Sequence, residues 1–324
     1  TMDECAEMTS GDAPPDFQYC FNQYGELRHR VSQEPFVFKY DKGDMESNQR
    51  QHRALQQCVT EHVYRLLEQE CRLQKICIPV DAADRQGGGA FFMSPGALCQ
   101  SKTLVVLIQD RGSIRAGQWS RRMIVRENVE RGSQIPYIRR ALEGACEVVV
   151  MNPNGGTVEP PRGGGGSPEA HVRYVWDHFV SPSAAGHVAV VAHGYGGLAF
   201  VDLLSRRPQA VRSRVYAVAF LDSCHSPWHQ ALDADSREWL RKHCRKWVPS
   251  AKPLDRPVGP LKVDCPQVSA GTEDREAAPW RCMGSVFRFF ARALKAKTTV
   301  PFSRPAIITR SKSRSHTHTK KNKK

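Results

Sequence analysis

The run from His187 to Ser205, HVAVVAHGYGGLAFVDLLS, constrains the fold more than any other stretch of the chain. Val188 to Ala192 is short, apolar and rich in β-branched residues, which is how a strand buried on both faces reads. His193-Gly194-Tyr195-Gly196-Gly197 is a turn that calls for residues without bulk. Leu198, Val201, Leu203 and Leu204 then recur at helical spacing. A buried strand turning sharply into a helix belongs to a parallel α/β sheet.

Two chemistries use such a unit. In a nucleophile elbow, small-x-nucleophile-x-small, a strained turn holds a serine above the sheet edge. The frame here is Ala192-His193-Gly194-Tyr195-Gly196, so the nucleophile position is Gly194, which has no side chain. The second is the dinucleotide fingerprint G-x-G-x-x-G/A, matched by Gly194 to Ala199, with Asp222 as the acidic residue expected further on. That fingerprint normally opens its fold, whereas this one lies past the middle of the chain. The plainer alternative is that the glycines only let helix and strand pack closely.

The remaining elements fall on both sides of this unit. Phe17 to Tyr40 reads as a small antiparallel meander built on FQYCF and FVFKY. Asn48 to Glu70 is an amphipathic helix with Leu55, Cys58, Val59, His62, Val63, Leu66 and Leu67 on one stripe. Strands are expected at Lys75 to Val80, Ala90 to Met93, Thr103 to Ile108, Cys146 to Met151, Arg214 to Leu221 and Pro266 to Ala270. Helices are expected at Ile135 to Glu143, Pro168 to Val180, Trp228 to Trp247 and Pro279 to Lys295. Loops fill Asp81 to Gly89 and the Pro/Gly-rich Asn152 to Gly166, which lacks the Gly-Lys-Ser/Thr ending of a phosphate cradle. The alternation implies a doubly wound, mostly parallel sheet with helices on both faces.

Composition narrows the function classes. No run reaches the ~18 apolar residues of a membrane-spanning helix. Eleven cysteines, without C-x-x-C pairs, point to reduced thiols in the cytosol or nucleus. The nearest metal-like cluster, Cys224, His225 and His229, lacks a third convergent ligand, so neither a metal nor a cofactor is expected. Net charge is +14, but nine of the positive residues follow Ala296 with no acid among them, leaving +5 on the first 296 residues. The chain therefore divides into a disordered start, 1–16, a folded domain, 17–296, and a disordered basic tail, 297–324. In that tail Lys320, Lys321, Lys323 and Lys324 have the spacing of a nuclear-import signal, and the tail also suits nonspecific nucleic acid.

Longer motifs carry a family resemblance. FNQYGELRH, EPFVFKY, IRAGQWSRR, QIPYIRRA, YVWDHF, AHGYGGLAFVDLL, LDSCHSPWHQ and DCPQVSAGT resemble the cotranscriptional regulators with an Argonaute-binding-protein-two (Arb2) domain, family with sequence similarity one hundred seventy-two. The resemblance covers Phe17 to Ala296 and implies an α/β-hydrolase-like domain. Three positions depart from the family pattern. Gly194 stands for the elbow serine, Gln109-Asp110-Arg111-Gly112 replaces an H-G-S-G-like turn, and Glu273-Asp274-Arg275-Glu276 lacks the family's histidine. A Ser–His–acid triad needs nucleophile and base within hydrogen-bond reach, so the chain reads as a paralogue with a degenerate elbow.

The resemblance implies a noncatalytic adaptor of nucleus and cytoplasm. Such an adaptor bridges Argonaute and chromatin-remodelling proteins and influences alternative splicing or small-RNA-linked silencing. Asp222 and His225 are expected as a residual polar pair at the sheet edge. Trp119, Trp176, Trp228 and Trp239 are expected in core or rim packing. The alternative is an esterase-like serine or cysteine hydrolase with a displaced nucleophile at Ser223, Cys224 or Ser226.

Overall fold

A computed structural model describes residues 16–78, 89–100, 103–155, 167–260 and 264–299. The expected disordered start (save Asp16), most of the two expected loops and nearly all of the basic tail lie outside the described residues. Two short strands, β1 (Tyr19–Phe21) and β2 (Leu27–His29), pair antiparallel as the N-terminal meander. The second half of that meander, Phe36 to Tyr40, forms no strand, and the residue before it, Pro35, makes an isolated bridge to Arg28 of β2.

The helix α1 (Met45–Gln69) is capped by Asp44, whose side chain accepts from Ser47 N–H. The main sheet then collects β3 (Gln74–Ile78), β4 (Gly89–Met93), β5 (Leu104–Ile108), β6 (Glu147–Val150), β7 (Val188–His193), β8 (Val215–Leu221), β9 (Cys244–Val248) and β10 (Gln267–Ser269). Their spatial order is β10-β9-β8-β7-β5-β6-β4-β3. Only β4 runs against its neighbours; the other pairings are parallel. Counted within the sheet, this is the 1-2-4-3-5-6-7-8 order of an α/β-hydrolase-like fold.

The central strands are buried throughout, and their side chains alternate between two core layers with period two. On β7, Ala189 and Val191 enter one core layer, while Val188, Val190 and Ala192 enter the other. The first layer lies under α1, α4 (Ile135–Glu143) and α9 (Ala278–Thr298), with Trp119, Tyr137 and Val286 within it. The second lies under α5 (Pro168–Val175), α6 (Tyr195–Arg206) and α8 (Ala234–His243), with Val172, Phe200 and Trp239. The short helices α2 (Arg121–Arg126), α3 (Val129–Gly132) and α7 (Pro208–Arg214) complete the element order.

Two expectations need correction. The helix expected over Trp228 to Trp247 is only α8, and its last residues are strand β9. Cys244 and Trp247, three apart, fall in opposite core layers, as a strand requires. Pairing with β8 and β10 overrides the local helical pattern. Pro168 to Val180 is helical throughout, as expected, with its last turn, Trp176–Val180, π-helical. Nine described cysteines are free thiols, whereas Cys77 is disulfide-bonded, so the all-thiol expectation fails there.

Candidate functional site

The chain leaves β5 toward β6 on one side and later returns to place β7 on the other. That makes the carboxyl ends of β5 and β7 a topological switch point, where open α/β sheets form their crevices. The turns that follow these two strands carry Asp110 and Gly194.

Gly194 leaves β7 at φ 53° and ψ −120°, and α6 starts at the next residue. A left-handed φ with this sharp reversal is the strained strand-to-helix turn that lifts a nucleophile above the sheet. Here the turn is intact and the side chain is missing. Its place is taken by Asp110. A Cβ on Gly194 would fall 2.6 Å from Asp110 Oδ2 and closer still to Cγ and Oδ1.

Asp110 Oδ1 accepts from Tyr195 N–H at 2.7 Å and from Arg111 N–H at 2.8 Å. In α/β-hydrolases the oxyanion hole combines the N–H following the nucleophile with one from the loop after the third strand. In chain order β5 is the third strand of this sheet. The two N–H groups that would bind a developing oxyanion therefore hold an internal carboxylate. Asn154 Nδ2 fixes the Asp110 backbone by donating to its carbonyl at 2.8 Å.

The rim of the elbow is equally committed. The Arg111 guanidinium lies 4.3 Å from the Tyr195 ring centroid. The Tyr195 hydroxyl hydrogen-bonds Glu169, which, with burial, pushes the phenol up to about 12. Cys224 is exposed beside the turn and donates its N–H to Gly194 O at 3.2 Å. Burial and the Asp110 charge raise its thiol pKa, which disfavours the reactive thiolate. Beneath the turn, His193 is buried edge-on to Trp119 at 5.7 Å, and its Nδ1 has no partner among the described residues. Burial lowers its pKa against the pull of Asp110 and Asp222, so the ring is neutral at pH 7.

The glycines that match a dinucleotide fingerprint have packing roles. A Cβ on Gly197 would fall 2.6 Å from Ser223 Cβ and closer to its Oγ. Tyr195 N–H, at the start of α6, already serves a carboxylate, which repels a pyrophosphate. Asp222, the candidate ribose acceptor, is bonded instead to Arg275, Nε to Oδ2 at 2.9 Å. The dinucleotide reading has no seat left.

The expected Asp222–His225 pair is also corrected, because the two side chains take different partners. Arg275, from the segment after β10, holds Asp222. His225 is fully buried against Phe220 and sits between Ser223 and Asp264. Ser223 Oγ lies 2.6 Å from His225 Nδ1, and His225 Nε2 is hydrogen-bonded to Asp264. With Asp264 ionised, Nε2 donates to it and Nδ1 accepts the serine proton. Burial keeps the His225 pKa below its ordinary value despite Asp264. This is a Ser–His–carboxylate relay, but its serine oxygen is pressed into the notch above Gly197, away from the filled N–H pair.

The structure thus gathers His193, Gly194, Tyr195, Gly196 and Gly197 at one elbow, as expected. It separates Asp222 from His225, and it exposes His229, which no metal-like group includes. No cluster of three or more His, Cys, Asp or Glu suited to a metal occurs among the described residues. Trp119, Trp176 and Trp239 are buried, whereas Trp228 is 79% exposed beneath the Arg237 guanidinium and lies outside the core. Asp110, Arg275 and Asp264 were missed as site residues. The first two lie in the segments marked as departing from the family pattern, and Asp264 opens the DCPQVSAGT stretch.

Topology and elbow together define an α/β-hydrolase-like protein with glycine at the nucleophile position. The chain belongs to the Arb2 domain family, which it matches over residues 11–162 and 157–254. Cotranscriptional regulator ARB2A of Mus musculus is 39% identical over 94% of this chain and 88% of the relative. Putative protein ARB2BP of Homo sapiens is 39% identical over 94% and 95%. A FAM172 family protein homolog of Caenorhabditis elegans is 32% identical over 65% and 64%. Among solved structures, the histone deacetylase Clr3 overlays 81% of this chain and 42% of its own, with a TM-score of 0.49 and 15% identity. A Pyrococcus furiosus esterase overlays 69% and 93%, with a TM-score of 0.39 and 11% identity. Among the described residues no helix is long and apolar enough to cross a membrane.

Proposed function

We propose that this chain is a noncatalytic regulator of the cotranscriptional type, whose hydrolase-like site has been converted into a structural joint. The observation that carries the noncatalytic part is the Asp110 carboxylate, which fills the oxyanion donors and crowds the empty nucleophile position. Stabilising a developing oxyanion is usually the largest single contribution to acyl transfer, and a resident anion removes it. The regulatory part rests on relatives named cotranscriptional regulator ARB2A, 38–39% identical over most of both chains.

The finer reading is an adaptor that bridges Argonaute and chromatin-remodelling proteins and influences alternative splicing or small-RNA-linked silencing. It works in nucleus and cytoplasm, with Lys320, Lys321, Lys323 and Lys324 as the import signal. Co-precipitation of the full chain from nuclear extract tests it. Argonaute and a chromatin remodeller should both be recovered, and absence of both overturns the bridge. Deleting Lys320 to Lys324 should lower the nuclear fraction, and an unchanged fraction removes the import signal.

One observation favours a second reading, the displaced hydrolase: Ser223, His225 and Asp264 are hydrogen-bonded in line. A serine-directed fluorophosphonate probe separates the two. The joint reading expects no adduct on Ser223, and stoichiometric labelling there reverses the assignment.

A further inference from the structure

The helix α9 carries a surface that the elbow does not explain. Arg281, Arg288, Arg292 and Lys295 are all exposed, and the helix contains no acidic residue. Their spacings of seven, four and three place them within about 60° of one helix face, over about 21 Å of its length. Lys297 falls on the opposite face, toward His187 and His243. The row is therefore a stripe rather than a generally basic helix.

Neighbouring elements extend it. Arg140, from α4, stacks over Phe287 at 5.4 Å. A Cβ on Gly284 would lie 3.3 Å from Arg288 Nη1 and 3.9 Å from Arg140 Nη1, so two guanidinium groups open onto one notch. At the amino end of the stripe Arg281 lines a polar cleft of about 380 Å³ in which Arg126 is paired with Asp274 and Arg131 with Glu127, leaving Arg281 as its unpaired cation among the described residues. The acid nearest the middle of the row is Asp255, 3.9 Å from Arg288 but already bonded to Trp247 Nε1 and Ser285 Oγ. No ion pair holds Arg281, Arg292 or Lys295 among the described residues.

The occupant follows from what the stripe lacks as well as what it has. Protein interfaces are anchored by buried aromatic side chains as well as Arg, and amphipathic membrane helices by an apolar face. None of the large exposed hydrophobic residues lies on α9. A straight row of cations without apolar anchors fits a ligand with regularly repeated negative charge. The sequence beyond α9 continues the sign, with eight more Lys or Arg and no acid after Lys297.

We infer that the outer face of α9, with Arg140, binds the phosphate backbone of nucleic acid without sequence preference. Binding by this face does not depend on the fate of the elbow. Phosphate neutralisation releases counterions, so log K falls with log salt by about 0.9 per phosphate on duplex DNA and about 0.7 on single strands. Four cations then account for about 3–4 units of slope on a duplex.

The test is fluorescence anisotropy of the full chain with mixed-sequence single-stranded RNA and duplex DNA across a potassium chloride series. The variant carries R281Q, R288Q, R292Q and K295Q; a second carries glutamine at Lys320, Lys321, Lys323 and Lys324. The stripe variant should lose about 3–4 units of duplex slope with its urea midpoint unchanged, and R292Q alone about one. The tail variant should keep that stripe-dependent part. An unchanged slope in the stripe variant overturns the inference, as does loss of all binding in the tail variant. Binding to anionic phospholipid vesicles with none to either nucleic acid assigns the stripe to a membrane surface and overturns it equally.

Discussion

The elbow at Gly194 and the relay at Ser223 hold complementary halves of one catalytic apparatus. The elbow keeps the strained turn and the two N–H donors but has a glycine and a resident carboxylate. The relay keeps a hydroxyl, an imidazole and an acid but faces a helix notch. Hydrolysis requires nucleophile, base and oxyanion donors around a single reacting carbon. Separated, the same groups act as fasteners. Asp110 ties the β5 turn to the start of α6, and His225 ties the β8 turn to the segment before β10.

The largest test of this contrast is His225→Ala. If the relay is a fastener, the variant leaves the half-buried Asp264 and Ser223 without their partner and opens a cavity beside Phe220. The imidazole is neutral, so the loss is that of a hydrogen-bond partner, about 1–3 kcal/mol, and the cavity adds to it. The urea midpoint should fall accordingly, at unchanged slope. A midpoint within error of the parent chain means that the relay fastens nothing.

Next is Gly194→Ser, which adds a side chain where φ is +53° and where Asp110 already sits. Backbone strain of this kind costs about 1–3 kcal/mol, before Asp110 is displaced. Asp110→Gly in the same chain should recover part of that loss, giving a coupling of about 1 kcal/mol or more in a double-mutant cycle. Neither variant should hydrolyse a p-nitrophenyl ester, because the segment after β10, Thr272 to Ala277, offers no histidine to act as base. Strict additivity breaks the picture of Asp110 as the occupant of the nucleophile position.

What the sequence revealed of these two regions follows the range of the interactions. The elbow was legible because Val188 to Leu204 encodes strand, turn and helix within a single local pattern. The sheet class followed from the alternation of such patterns. β9 was not, because CRKWV becomes a strand only between β8 and β10. The contacts that decide chemistry join distant residues: Asp110 meets Tyr195 across 85 positions, and Asp264 meets His225 across 39. Composition and spacing carry no record of such pairings. The three departures from the family pattern marked where to look, but not that Asp110 would occupy the gap.

Acid should loosen the elbow side. His171 is fully buried, and its Nε2 accepts from Asn152 N–H at 3.0 Å. Asn152 Oδ1 in turn accepts from Ala116 N–H at 2.8 Å, on the segment that carries Asp110. Burial lowers the His171 pKa to about 3. A folded pKa below the unfolded value of about 6.5 means that the unfolded chain takes up the proton first. Stability from this group is therefore complete above pH 6.5 and is lost as pH falls toward 3. Between about pH 6.5 and 5 the loss is about 2 kcal/mol. His171→Gln retains an acceptor and should flatten the pH dependence by that amount. An identical pH profile in the variant would show that His171 titrates freely in the fold.

The smallest expected effect separates the rim from both fasteners. Arg275 pairs with Asp222 at 2.9 Å, yet its side chain is 77% exposed. Water and salt screen such a pair, and exposed ion pairs contribute about 0–1 kcal/mol. Arg275→Ala should therefore move the urea midpoint by much less than His225→Ala does, and added salt should erase the difference. Any larger loss would mean that Asp222, held at φ 44° where β8 ends, depends on the guanidinium to keep its backbone in place. The turn after β8 would then be braced from Arg275 as well as from Asp264, and the elbow and the relay would be two ends of a single network rather than two separate joints.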